Sequence, residues 1–346
     1  MKRLALYFTA PYEVSVREET LPLPDAGQVL VQALVSAISA GTEMLVYRGQ
    51  TPTDISIDET IPSLAGTFSF PLKYGYATVG RVIALGEDVA QEWQGKMVFA
   101  FHPHESHFLS SPDELMSVPS GLSPEEAALL PTMETSVNFL MDGQPLIGEQ
   151  VAVIGQGVVG LLTTALLARL PLASLVTLDN YSLRRRKSLA LGAQASLDPE
   201  TPEAVAQLIS LLQKDSPYVG ADLTYELSGN PDAVEKAIEI TGFNGRVVIG
   251  SWFGQNQVSL NLGGRFHRSR IRLIGSQVST IATRWTGCWT KSRRLQIAWQ
   301  MLQHLRPAHL ITHRFPLAQA AQAYALIDQH PEEAIQVILT YEDRRT

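Results

Sequence analysis

Two hydrophobic rhythms divide the chain. Up to about residue 118, short β-forming runs alternate with Pro, Gly and polar turns, as at 29–35 (VLVQALV), 78–85 (TVGRVIAL) and 97–101 (MVFAF). Such spacing predicts a β-rich, barrel-like module. The turn-type composition of 51–70 predicts a long loop. From Ser123 the period lengthens. Ser123 is placed as helix N-cap, Pro124 as the first helical residue, and Glu125 and Glu126 stand where the helix dipole favours them. A helix is expected over 127–140, interrupted at Pro131. Strands at 151–154, 174–178, 220–226 and 246–250 then alternate with helices at 161–168, 184–191, 204–212 and 232–241. Alternation of this kind predicts a parallel, doubly wound sheet. The tail returns to mixed character, with helices expected at 292–305 and 317–329 and a last strand at 337–341. The expected division is 1–132 with 276–346 for the β-rich domain, and 133–275 for the α/β domain.

One stretch adds chemistry to this pattern. The apolar strand at 151–154 runs into Gly155-Gln156-Gly157-Val158-Val159-Gly160 and then an apolar helix. In a G-x-G-x-x-G loop the first glycine permits the turn, the second admits a pyrophosphate and the third lets helix and sheet pack closely. The helix N-terminal amides then face the phosphates. The next strand ends at Asp179, 24 residues after Gly155. A carboxylate there accepts the ribose hydroxyls of NAD and repels a 2′-phosphate. Asn180, Arg184, Ser228 and Gly250 complete the expected cofactor contacts. Arg184, Arg185 and Arg186 keep NADP as the alternative.

Length and composition fit two ordinary globular domains: 346 residues, 45% hydrophobic and 18% charged. The N-terminal apolar run is broken by Pro11, Glu13, Arg17, Glu18 and Glu19, so it reads as a strand and not a signal peptide. No membrane span and a cytoplasmic location are expected. The single cysteine, Cys288, excludes an internal disulfide and a multi-cysteine zinc site. Net charge is −7, yet between Ile240 and Ile327 there are eleven Lys or Arg and no Asp or Glu. This block reads either as a solvated basic face or as a field for an anionic ligand. Trp252, Trp285 and Trp289 lie in or beside it, which suits a planar, anionic substrate as well as ordinary packing. Nucleic acid is not expected, because the rest of the chain is strongly acidic.

Ala40-Gly-Thr-Glu43, Tyr47-Arg-Gly49, the 73–80 run KYGYATVG, the glycine loop with Asp179, Leu191-Gly-Ala193, Gly220-Ala-Asp222, the 245–250 run GRVVIG and the 315–321 run FPLAQAA resemble the medium-chain dehydrogenase/reductase superfamily, the zinc alcohol dehydrogenase group. The resemblance spans essentially the whole chain. It implies α/β architecture: a GroES-like β-barrel catalytic domain plus a doubly wound parallel-sheet Rossmann domain, usually as a homodimer or homotetramer. It also implies that Glu43 braces the active site by pairing with arginine. Within the superfamily, the 38–43 run ISAGTE and Gly75-Tyr76 are most similar to the bacteriochlorophyllide a dehydrogenase branch.

Departures from the zinc pattern are as informative. Ala40 stands at the first metal-ligand position, Tyr76 at the second and Pro131 near the third, and the four-cysteine lobe is missing. Catalytic zinc is therefore not expected. His102, His104 and His107, with Glu105 among them, offer a rebuilt metal site as the alternative to substrate-binding or solvated histidines. Without a Lewis acid, other groups must stabilise the substrate oxygen. The expected catalytic residues are Thr42, at the superfamily's proton-relay hydroxyl; Tyr76, whose phenol acquires a lowered pKa beside a cation or else merely fills space; Glu134, partnered by Lys73 or His102 or else exposed on the rim; and His102. The favoured reading is NAD-dependent hydride transfer between nicotinamide and a secondary alcohol or ketone, with a small-molecule substrate. The alternatives are an NADPH-dependent enone or quinone reductase and a catalytically inactive nicotinamide sensor.

Overall fold

The computed structural model describes residues 1–52, 54, 56–58, 61–212 and 219–341. It divides into two compact units, 1–131 with 299–346 and 132–298.

In the first unit, Lys2–Ala10 and Glu13–Thr20 form an antiparallel hairpin, and seven further strands build a mixed sheet. Val29–Ala37 is central to that sheet. It pairs with Thr78–Leu85, with His107–Ser110 and with the strand Gln336–Thr340, so residues from the first and last parts of the chain meet in one sheet. The alternating pattern of the sequence buries Val29, Val31, Val82, Val98 and Phe108 on one side. A second core gathers Leu6, Phe8, Ile38, Met44, Tyr47, Tyr74 and the helix Ala320–Gln329. There Tyr324 meets Phe8 edge-on at 5.2 Å and stacks on Tyr47 at 5.5 Å. The described part of the 51–70 segment holds a short 3-10 turn, Pro62–Leu64, and an isolated antiparallel bridge between Ser56 and Thr67.

The second unit carries a six-stranded parallel sheet. Numbered along the chain as Gln150–Ile154, Ser174–Leu178, Ala195–Leu197, Ala221–Glu226, Thr241–Ile249 and Arg272–Gly275, its strands lie in the order 3-2-1-4-5-6. That order places the topological switch at the end of the first strand, where dinucleotides bind in such sheets. Strand 174–178 and strand 150–154 are buried on both faces, which explains their uninterrupted apolar sequence.

Ser123 caps its helix as expected and forms a full capping box with Glu126. Pro131 falls in the first turn of the next helix, Leu130–Gly143, where a missing N–H is harmless. The second domain boundary differs from the sequence expectation of 275/276. Segment 276–298 belongs to the second unit because Ser276, Arg284 and Arg294 are all hydrogen-bonded to helix Leu130–Gly143.

Candidate functional site

The glycine loop is a strand–turn–helix junction. Gly155 adopts φ +89°, and a Cβ there would lie 2.5 Å from the Ser228 backbone, so conformation and crowding both demand glycine. A Cβ at Gly160 would overlap the carbonyl oxygen of Gly155. At Gly157, by contrast, a Cβ would meet nothing within 4 Å. The space beside Gly157 is open at the start of helix Val158–Leu167, where the amides of Val158, Val159 and Gly160 precede the first intrahelical acceptor bond. This is a fitting cradle for a dinucleotide pyrophosphate.

The other expected cofactor residues sit around that cradle in differing roles. Asp179 is nearly buried; its Oδ2 accepts from the Gln156 backbone N–H at 2.7 Å and its Oδ1 from Tyr181 N–H at 2.8 Å. Gln156 is turned inward, with its side chain on the Gly155 carbonyl and the Thr164 hydroxyl, so it shapes the turn and its amide is already used. Asn180 is exposed. The Arg184 guanidinium lies 4.7 Å over the Tyr181 ring and 4.0 Å from Asp179. Ser228 abuts the glycine turn, but its hydroxyl donates to Glu226 at 2.5 Å. Gly250 is explained by packing, since a Cβ there would overlap the Phe139 ring.

In the first unit, three hydroxyls converge. The Tyr76 phenol donates to Ser39 Oγ at 2.6 Å, and the Thr42 hydroxyl also hydrogen-bonds it. Burial raises the Tyr76 pKa, and no basic side chain among the described residues offsets it. The expected lowered pKa is therefore corrected: Tyr76 is a neutral donor near pH 7. Ser39 and Thr42 flank exposed Ala40 and Gly41, so the cluster borders solvent.

Beneath it lies a sealed polar chain. Glu43 is fully buried and accepts from Ser39 N–H at 2.9 Å, from His104 Nε2 at 3.0 Å and from the Tyr324 hydroxyl. A donor at Nε2 leaves His104 Nδ1 as acceptor for the Ser36 hydroxyl at 2.7 Å, and Ser36 meets Tyr341 at 2.7 Å. The arginine expected beside Glu43 is thus replaced by a histidine and a tyrosine. Sequence reasoning missed this cluster and missed Ser39. The only signal was a second hydroxyl, one residue before the lost ligand position.

The other candidates are elsewhere. His102 stacks on Phe108 at 4.0 Å with Nδ1 toward the Pro103 carbonyl, and burial depresses its pKa to about 4. Lys73 bonds Glu105 at 2.7 Å and Glu19 at 2.9 Å, in a group completed by Arg3. Glu134 belongs to the second unit, and neither Lys73 nor His102 partners it. Its carboxylate instead accepts from the wholly buried Arg294 at 2.9 and 3.1 Å. Glu134 and His102 are each held by neighbours within their own unit.

A zinc ion does not suit the donors present. Ala40 and Pro131 offer no ligand atom, and Tyr76 is held as a phenol on Ser39. Both His104 nitrogens are taken, so the trio with His102 and His107 does not converge. Among the described residues, the group of three potential ligands that does converge is exposed His330, Glu332 and Glu333. No helix among the described residues is long and apolar enough to cross a membrane.

A family of zinc-binding dehydrogenases matches residues 158–292. Over 359 residues the chain is 24% identical to D-guloside 3-dehydrogenase of Escherichia coli K12, covering 99% of this chain and 100% of that one. Among solved structures, a protein of E. coli CFT073 described as a short chain alcohol dehydrogenase, complexed with NADH, superposes with TM-score 0.77 at 17% identity, over 98% of this chain and 99% of that one. A protein of Sinorhizobium meliloti 1021 described as a “putative zinc-binding dehydrogenase”, bound to NADP, gives 0.76 at 18%, again over 98% and 99%.

Proposed function

We propose that this chain is an NAD(P)-dependent oxidoreductase of the medium-chain dehydrogenase/reductase type acting on CH–OH donors, and that it moves hydride between NAD(H) and a secondary alcohol or ketone without catalytic zinc. The match to zinc-binding dehydrogenases over 158–292 and full-length relatives named as dehydrogenases support this reading. The observation that carries this reading is the Tyr76–Ser39–Thr42 hydroxyl cluster, in which the resemblance sets Tyr76 at one metal-ligand position and Thr42 at the relay hydroxyl, with Ser39 one residue before another ligand position.

Nicotinamide, when bound, supplies or accepts the hydride. The residues of this chain then do the rest. The amides of Val158, Val159 and Gly160 hold the pyrophosphate beside Gly157, and Asp179 selects the unphosphorylated ribose. In the ketone-reducing direction, negative charge builds on the carbonyl oxygen. Tyr76, kept protonated by burial, turns its O–H from Ser39 to that oxygen and donates. In the alcohol-oxidising direction the same contact orients the hydroxyl, whose proton leaves to solvent past Ser39 and Thr42 beside exposed Ala40 and Gly41. A preorganised donor of this kind contributes about 10²–10³-fold in rate. Relatives named for sugar and sugar-acid dehydrogenation favour a polyol or sugar substrate. The branch similarity of Gly75-Tyr76 adds a tetrapyrrole hydroxyethyl group as the competing substrate class.

The test is separate titration of NADH and NADPH, followed by turnover on glycosides, polyols, diols, enones, quinones and a hydroxyethyl tetrapyrrole. Tyr76→Phe is expected to lower kcat by about 10²-fold or more while cofactor affinity stays constant. Full activity in that variant would make Tyr76 a space-filler. Tight NADH binding with no turnover on any probe would replace the dehydrogenase with a sensor.

A further inference from the structure

His104 is fully buried, uses both ring nitrogens and plays no part in the hydride step outlined above. Its position between two backbone segments is what singles it out. Its Nε2 donates to Glu43, whose other oxygen accepts the Ser39 N–H and so fixes the turn that carries the Ser39 and Thr42 hydroxyls. The Nε2–Cδ2 edge of the same ring lies against Gly75, the residue before Tyr76. Gly75 adopts φ +120°, and a Cβ there would sit 2.7 Å from the imidazole. The ring's far nitrogen is held by Ser36, itself bonded to Tyr341 of the C-terminal strand.

His104 is not free to drift. Leu6 N–H donates to its carbonyl at 3.0 Å, and the adjacent Glu105 is clamped by Arg3 and Lys73. Lys73 lies three residues before Tyr76, so the 73–76 and 104–105 segments are joined twice, once by charge and once by ring-to-glycine contact.

We propose that His104 is a positioning residue that sets the spacing between the Tyr76 phenol and the Ser39 and Thr42 hydroxyls, through its hydrogen bond to Glu43 and its packing against Gly75. The inference rests on the reading that this cluster receives the reacting oxygen. A misplacement near 1 Å at such a site costs about 10²-fold in rate. Position matters here more than charge, so a side chain that restores the donor to Glu43 restores function.

The experiment compares wild type, His104→Ala, His104→Gln and Ser36→Ala in protein carrying ¹³Cζ-labelled tyrosine, with the Tyr76 resonance assigned by Tyr76→Phe. Turnover is measured with NAD on D-sorbitol, methyl α-D-glucopyranoside and 2,3-butanediol. In His104→Ala the Tyr76 resonance is expected to move, and kcat to fall about 10²-fold with NADH affinity and KM within about twofold. His104→Gln, whose amide reaches Glu43, is expected to recover most of both. Ser36→Ala is expected to give a smaller change of the same sign, and it carries the readout if His104→Ala does not fold. An unmoved Tyr76 resonance in a folded variant overturns the proposal. So does a parallel loss of melting temperature, cofactor affinity and kcat with no rescue by glutamine. If wild type turns over no probe, the dehydrogenase reading loses its support there, while the resonance still decides whether His104 positions Tyr76.

Discussion

Asp179 shows how one residue serves two ends. Its oxygens already hold the amides of Gln156 and Tyr181, so the carboxylate braces the glycine turn in addition to the ribose contact proposed for it. Two substitutions separate the roles. Asp179→Asn keeps an acceptor oxygen but removes the charge, and is expected to relax discrimination against NADPH while weakening NADH modestly. Asp179→Ala frees both amides and is expected to weaken both cofactors. Fluorescence titration of NADH and NADPH checks this, and unchanged discrimination in Asp179→Asn would rule out the charge as selector. His102 carries a second residue-level prediction. Its folded pKa of about 4 lies below the ordinary 6.5 because burial disfavours the imidazolium. Protons therefore bind the unfolded chain more readily. The stability associated with a neutral His102 is complete above pH 6.5 and is lost as pH falls from 6.5 toward 4, by at most about 3 kcal/mol. His102→Leu, which keeps an apolar side chain against Phe108, is expected to flatten that part of the urea-stability profile. An identical acid slope in the variant would refute the assignment.

At the level of elements, helix Leu130–Gly143 turns one face into a clamp. Glu134, Asn138 and Asp142 recur every four residues, and they bind Arg294, Ser276 and Arg284 of a segment more than 130 positions away. Glu134→Ala leaves the buried Arg294 guanidinium without its carboxylate, which costs about 3–5 kcal/mol. Faster hydrogen exchange and tryptic cutting across 276–294 are the expected readouts; protection equal to wild type would mean that the clamp is not holding this segment. The helix itself was legible from Ser123, Pro124 and the apolar period, since those signals are local. Its partner was not. The 276–290 stretch has no period, and its tether consists of side-chain bonds that no spacing predicts, which is why the expected boundary fell before it. Strand Thr241–Ile249 is similar: the sequence pattern predicts it only from Arg246, after a helix running to 241, but a register shift opposite Ala221–Leu223 carries it back to Thr241, with Asn244 at φ +56°. The glycine loop could be read because its chemistry is contiguous. The His104–Glu43 pair spans 61 positions and could not.

Across the whole molecule, the charge blocks are complementary. Arg246, Arg284, Arg294, Arg306 and Arg314, all from the acid-free stretch, pair with Glu149, Asp142, Glu134, Glu126 and Glu125, all from 125–149. Arg265 is spent on the carbonyls of Val219 and Thr241. Much of the basic stretch thus serves internal pairing, rather than a field for an anionic substrate or an idle solvated face. The same inventory applies to metal donors. Of eight histidines and one cysteine, His104 is sealed by Ser36 and Glu43, His102 is stacked and neutral, and Cys288 is exposed and bonded to a carbonyl. A catalytic zinc site needs about three protein ligands around an open position, and a structural one about four. The group His330, Glu332 and Glu333 lies on the surface, away from the hydroxyls of Ser39, Thr42 and Tyr76 in sequence and burial alike. Prolonged dialysis against EDTA is therefore expected to leave the melting temperature, NADH affinity and turnover within error of the untreated protein, and added zinc is expected to restore nothing. The check is metal analysis of untagged protein alongside those three measurements. Stoichiometric zinc whose removal abolishes turnover would overturn the phenol-based mechanism and require a donor set assembled from residues that the structure now shows bonded to one another.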